Sequence, residues 1–178
     1  MPQTSAADSA VKIRLERPED HAAVRHVNIF AFDTPAEANL VDTLRTSGCT
    51  FISLIAESEE KVVGHIRFTP VALMPADSGL RLPGLAPMAV RPDFQRRGVG
   101  SALVKTGLIH ITALDYDAVA VLGHPHFYPH FGFVPSTRYG IKSEYDVPEE
   151  VFMMLELKRD ALRGHSGVII FHDAFARV

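Results

Sequence analysis

The sequence predicts a mixed α/β domain: a mostly antiparallel central sheet flanked by helices, with one parallel βαβ crossover. Three observations predict it. The apolar run Leu85 to Val90 turns through Arg91-Pro92-Asp93 and an arginine–glycine stretch into a long helical pattern, and the short apolar run Ala118–Leu122 follows. A helix between two such buried strands makes a parallel pair. Upstream, Phe51–Glu57 and Lys61–Thr69 are joined by the turn Ser58-Glu59-Glu60 and read as an antiparallel hairpin. The chain has 178 residues, 47% of them hydrophobic and 22% charged, which suits one globular domain with a sizeable core.

The elements follow in order. Residues 1–10 are small and polar, without a basic-then-apolar signal pattern, and are read as a flexible tail. A single domain then spans 11–178. Val11 to Glu16 alternates apolar and charged residues, as a half-buried strand does. Pro18-Glu19-Asp20 opens a helix on which Val24, Val27, Ala31 and Phe32 recur. Thr34-Pro35-Ala36-Glu37 is a capping box for a second helix, with Leu40, Val41 and Leu44 on one side and Gly48 as its stop. After the hairpin, Pro70 to Pro83 reads as a loop. The helix from Val99 to Leu114 carries a broad apolar arc and a narrow polar stripe of Ser101, Lys105 and Thr112, which suits a helix lying on a sheet. Gly123 to Phe133 is punctuated by prolines and has room for one short turn before Gly132. Ser136 to Pro148 is a polar loop. Val151–Leu157 is a strand, Lys158–Gly164 a turn and Gly167–Phe171 a last short strand.

Composition narrows the function classes. A formal net charge of −3 argues against nucleic acid or an anionic membrane as the partner. No apolar run approaches the roughly 18 residues of a membrane span. Cys49 is the single cysteine, so there is no internal disulfide and no cysteine cluster for zinc. That suits a reducing cytoplasm.

The chemistry concentrates in Gln95-Arg96-Arg97-Gly98-Val99-Gly100, at the start of a helix. The first amides of a helix have no intrahelical partner and sit at its positive end, and glycine lets a ligand approach the backbone. A phosphate fits there. A Walker A loop is excluded, because one residue separates Gly98 from Gly100 and Ser101 follows in place of lysine. The dinucleotide fingerprint fails at Leu103, where a third glycine belongs. The order Q-x-x-G-x-G after a strand instead resembles the coenzyme A loop of the GNAT-type N-acetyltransferases. Tyr128-Pro129-His130-Phe131-Gly132-Phe133 resembles the Y-x-x-x-G-F pattern that such enzymes often carry after the fifth strand. The wider run LGHPHFYPHFGFVPS, followed by YGI, is similar to one bacterial branch of predicted N-acetyltransferases. Members of that branch often have G-D-P where this chain has Gly123-His124-Pro125.

The resemblance covers roughly residues 11–157 and implies the acyl-CoA N-acyltransferase fold. It also implies acetyl-CoA as co-substrate and an amine acceptor, expected to be small, that attacks the thioester directly. Met88, Ala89 and Val90 would present backbone groups to the pantetheine arm and the thioester carbonyl. Gln95 to Ser101 would wrap the pyrophosphate, mainly through backbone N–H, with charge from Arg96 and Arg97. Tyr128 would be the general acid. Three residues are candidate bases: His65, which shares strand parity with Arg67 and Thr69; Glu57, at a strand end; and His124, after a buried strand. The strand Leu85–Val90 carries no acid, so a base acting through water stays open. His124, His126 and His130 invite a metal reading, but Pro129 interrupts the spacing and no carboxylate lies nearby, so no metal is expected. A monomer or a homodimer is expected. The alternative is a non-catalytic acyl-CoA-binding sensor.

Overall fold

The computed structural model describes residues 10–49, 52–76 and 79–178. Phe51, where the second strand was expected to begin, and residues 1–9 of the expected tail lie outside the described residues. The strands are β1 Lys12–Leu15, β2 Ile52–Ser58, β3 Lys61–Met74, β4 Leu82–Val90, β5 Ala118–Leu122, β6 Val134–Pro135, β7 Ile141–Ser143, β8 Phe152–Glu156 and β9 Gly167–Ile170. The helices are α1 His21–Phe32, α2 Ala36–Thr46 and α3 Val99–Ala113. The sheet runs β1-β2-β3-β4-β5-β8-β6, antiparallel except at β4–β5. β9 pairs with the far half of β3, and β7 lies parallel to β9.

The helix starts differ in detail from the expectation: α1 begins after a short turn at Pro18–Asp20, and α2 takes Pro35, not Thr34, as its N-cap, without the reciprocal capping box. Pro18–Asp20 forms a tight turn before α1, and the Asp20 carboxylate accepts from the Arg17 amide at 2.7 Å. The Thr34 hydroxyl accepts from the Ala36 amide at 3.3 Å and donates to Glu37 at 3.0 Å, tying down the first turn of α2.

α1 and α2 cover one face of the sheet, where Val24 and Val41 pack with Ile55. α3 covers the other, where Leu103, Val104 and Ile111 pack on Phe68, Leu85 and Met153. α3 sits close because Gly107 rides over Phe68; a Cβ there would lie 2.5 Å from the ring. Between β5, β8 and β9 a second apolar cluster gathers Phe152, Met154, Ile169 and Phe171.

Two expected loops are partly strand. β3 runs on to Met74 and β4 starts at Leu82, so Pro70 pairs with Pro83 inside a ladder. Burial of Leu73 and packing of Val71 in the second cluster outweigh the proline signal. Within Ser136–Pro148, Ile141 is fully buried and opens β7, because β9 offers it an edge.

The crossover β4–α3–β5 positions the site. β4 and β5 are in register at Gly84↔Ala120 and Leu85↔Val121, and among the described residues they pair no further. One extra residue on β4 between Leu85 and Met88 marks a bulge against β3, where Ile66 pairs with Met88 but Phe68 with Leu85. Past it, β4 keeps β3 on one side and has an open edge on the other.

Candidate active site

The open edge has defined polarity. The Arg91 amide donates to Val63 of β3 at 2.9 Å. By the two-residue alternation of a strand, Ala89 also turns its amide and carbonyl to β3, while Met88 and Val90 turn theirs outward. Of the three expected backbone contacts, two therefore face the gap. The Val90 carbonyl already accepts from the Gln95 side chain at 2.9 Å, so Gln95 fixes the start of the loop.

The loop then delivers α3. Gly98 is its N-cap with φ 81°, a left-handed conformation that costs other residues about 1–2 kcal/mol. The first helical bond runs from Ala102 to Gly98, leaving the amides of Val99, Gly100 and Ser101 without an intrahelical partner. A Cβ on Gly98 would meet open space, and one on Gly100 would lie 3.6–3.8 Å from Phe127, Met88 and Val90. Those contacts put the first turn of α3, the Met88 and Val90 side chains of β4 and the aromatic segment against one another. A cavity of about 930 Å³ flanks the loop on its β2–β3 side, lined by Lys61, Arg91, Phe94, Arg97 and Gly98 among others. Arg91 and Arg97 both lie over the Phe94 ring, at 5.9 and 5.6 Å from its centre.

Tyr128 lies in a tight turn, Tyr128–Phe131, that ends at Gly132. It is buried among Phe127 and Phe133, with ring centres 5.0 and 5.6 Å away. Burial pushes its phenol up to about 12, so it stays protonated at neutral pH.

The candidate bases part company. Glu57 stands two strands from β4, opposite Lys12, and Arg14 holds its carboxylate at 2.7 and 3.0 Å while also gripping Asp20. The structure does not bring it to the β4 edge. His124 is exposed, and its carbonyl accepts from the Phe127 amide at 3.1 Å. His65 stands opposite Ala89 on the neighbouring strand, on the α1/α2 face, and is fully buried. Its side chain therefore faces the interior and not solvent. Its Nε2 lies 2.9 Å from Ser53 Oγ and its Nδ1 3.3 Å from Asn28 Nδ2. Burial pushes the imidazole down, so it is neutral at neutral pH.

Around His65 is a buried network that sequence reasoning missed. Glu16 accepts from Ser53 and, at 2.5 Å, from Arg45. Arg67 lies 3.8 Å from Glu16, and burial lowers its guanidinium to about 10. Burial raises the Glu16 carboxyl, but His65, Ser53 and Arg45 together hold it well below its usual range. The signal was polar residues at alternate positions, His65-x-Arg67-x-Thr69, within an otherwise apolar strand.

Among the described residues no group of three or more His, Cys, Asp or Glu is placed to hold a metal, and no helix is long and apolar enough to cross a membrane.

Comparison with known proteins adds a family. Residues 49–135 match the model of the acetyltransferase (GNAT) domain. The uncharacterized N-acetyltransferase YhbS of Escherichia coli K12 is 33% identical over 166 residues, 93% of this chain and 98% of that one. YjhQ of the same strain, also named an uncharacterized N-acetyltransferase, is 38% identical over 134 residues, 74% of each chain. Among solved structures, YhbS from Escherichia coli in complex with CoA superposes with a TM-score of 0.91 at 31% identity, covering 98% of this chain and 97% of that one. A GNAT family acetyltransferase from Brucella melitensis in complex with acetyl-CoA superposes with a TM-score of 0.78 at 31% identity, covering 94% and 99%.

Proposed function

The chain belongs to the GNAT family of acetyltransferases, and from that premise we propose that it moves acetyl from acetyl-CoA to a small amine by direct attack in a ternary complex. The observation that carries the reading is the adjacency of two rows of backbone donors: the outward amides of Met88 and Val90, and the partnerless amides at the start of α3. In this reading the pyrophosphate lies on the amides of Val99, Gly100 and Ser101, with charge from Arg96 and Arg97. The pantetheine arm follows the β4 edge into the gap before β5. The thioester oxygen meets an outward amide, which is placed where negative charge develops.

Coenzyme A enters from the α3 face, so the amine comes from the opposite face, past α1 and Ala89. Its nitrogen attacks the thioester carbon, and the carbonyl electrons move onto oxygen. The tetrahedral intermediate collapses, the C–S bond breaks, and the sulfur takes a proton from the Tyr128 phenol, which water then reprotonates. The amine loses its proton to water or to a base on the acceptor face. Holding the two reactants together supplies much of the acceleration. A cytoplasmic monomer or homodimer completes the reading.

The test is release of the coenzyme A thiol from acetyl-CoA in the presence of small amines, amino acids and short peptides, with mass spectrometry of the acceptor. At least one amine should gain acetyl in step with thiol release. Tight coenzyme A binding with no transfer across the whole panel would support a non-catalytic acyl-CoA sensor instead.

A further inference from the structure

The buried histidine has a fixed proton inventory. The Asn28 side-chain amide donates to the Val24 carbonyl at 2.9 Å, which sets its orientation and leaves its second N–H directed at His65 Nδ1. Nδ1 must then accept, so the imidazole proton is on Nε2, which donates to Ser53 Oγ. The Ser53 hydroxyl in turn donates to Glu16. The chain Asn28, His65, Ser53, Glu16 thus runs with one polarity, and it joins α1 to β3, β2 and the end of β1. Arg45, gripping both Glu16 and Asp42, extends it to α2.

We propose that His65 is a positioning residue for the acceptor side of the site: through Asn28 it pins the C-terminal half of α1 beside the open part of β4, and only while Nδ1 carries no proton. The inference rests on the acetyl-transfer reading for its functional meaning. Asn28 lies one turn before Phe32, and α1 packs on both β3 and β4. Protonation makes Nδ1 a donor that faces a donor. Turning the Asn28 amide to offer oxygen would break its bond to Val24. Unturned, the bridge between α1 and the sheet is lost; turned, it survives only with the Asn28 oxygen set against the Val24 carbonyl, so protonation weakens it in both cases. The charged groups facing the imidazole are Glu16 from the end of β1, Arg67 from β3 and Arg45 from α2; His21 from α1 approaches the same Glu16 at 3.8 Å, and β4 presents only Ala89. Glu16 favours the added proton and the arginines oppose it.

Backbone hydrogen exchange of the full chain, between about pH 7.5 and about pH 5.5 and corrected for intrinsic rates, tests the device. The amides of Ile29 to Phe32 should exchange about tenfold faster at the lower pH through an opening that urea does not promote, whereas any rise in β2 and α3 should follow global unfolding and steepen with urea. Coenzyme A affinity by calorimetry should stay constant over the same range. Asn28→Asp offers Nδ1–H an acceptor and should abolish the acid response of α1. Unchanged α1 exchange in the wild type, an α1 rise that steepens with urea as that of β2 and α3 does, or an acid response that persists in Asn28→Asp overturns the proposal. A parallel fall in coenzyme A affinity also overturns it, by placing the effect on the wrong side of the gap. Should Asn28→Asp fail to fold, nitrogen-15 NMR of the wild type still decides: an Nδ1–H tautomer at neutral pH refutes the device. Failure of coenzyme A to bind at any pH would instead count against the acetyl-transfer reading, since the exchange measurement needs no ligand.

Discussion

Gly123 and Tyr128 are in such close contact that a Cβ on Gly123 would lie 2.3 Å from Cε2 of the tyrosine ring. The end of β5 therefore fixes where the phenol sits. The ring cannot retreat, because Phe127 and Phe133 flank it edge-on. Gly123→Ala should cost about 1–3 kcal/mol of stability by overpacking. It should lower kcat by displacing the hydroxyl, and leave coenzyme A affinity nearly unchanged, since the loop from Gln95 to Ser101 is untouched. Thermal unfolding, thiol-release kinetics and calorimetry measure the three. An unaltered melting temperature would show that the ring has somewhere else to go.

Tyr128→Phe keeps the ring and removes only the hydroxyl. A thiolate is a tolerable leaving group, with a reference pKa near about 8.5 for a thiol, so protonation helps without being indispensable. The loss in kcat is expected at the low end of general acid catalysis, about 10²-fold. Burial pushes the phenol up to about 12, so the wild-type rate should show no alkaline fall from this group below about pH 11. Wild-type turnover by Tyr128→Phe, with chemistry rate-limiting, would move the acid elsewhere.

The two loop glycines should fail differently. Gly98→Ala has open space for its methyl but must hold φ 81°, so it should cost about 1–2 kcal/mol of stability. Gly100→Ala has helical backbone and ordinary contacts at 3.6–3.8 Å, so it should fold at nearly wild-type stability. Its methyl would stand at the partnerless first turn of α3, against the Met88, Val90 and Phe127 side chains, and should weaken coenzyme A binding by about tenfold, or about 1.4 kcal/mol. Calorimetry on the folded variants checks both, and undiminished affinity in Gly100→Val would relocate the phosphate site.

What was legible in the sequence was local. The apolar run of β4, the Gly98–Gly100 turn and the 3.6-residue rhythm of α3 are decided within about thirty residues, as is the short turn at Tyr128. What was hidden depended on distant partners. β7 is a strand because β9 lies beside it, and the far half of β3 because Leu73 and Val71 find a second apolar cluster. Glu57 looked available as a base until Arg14, 43 residues away, took its carboxylate. His65 could be placed on a face by parity, but its burial depends on α1, α2 and Glu16, which no spacing within β3 reveals.

The same network should make the fold acid-labile in two stages. The native imidazole of His65 is held below its ordinary 6.5, so as pH falls past about 6.5 the unfolded chain binds a proton that the native state refuses. Native stability falls through that window. Glu16 is also held low, so its contribution is complete above the ordinary carboxylate value of about 4.3 and is lost below it. Both groups act in one direction, because in each case the unfolded state binds more protons. Urea unfolding at a series of pH values should therefore give a stability that declines first between about pH 6.5 and 5 and then more steeply below about pH 4.3. His65→Gln removes the titrating group but keeps a side chain that can donate to Ser53. It should flatten the first decline and leave the second. Glu16→Gln should be far more costly, by about 3–5 kcal/mol, because it leaves the charge of buried Arg67 without its nearest carboxylate. If the first decline persists in full in His65→Gln, another group carries it, and the assignment of a neutral buried imidazole in the native state loses its thermodynamic support.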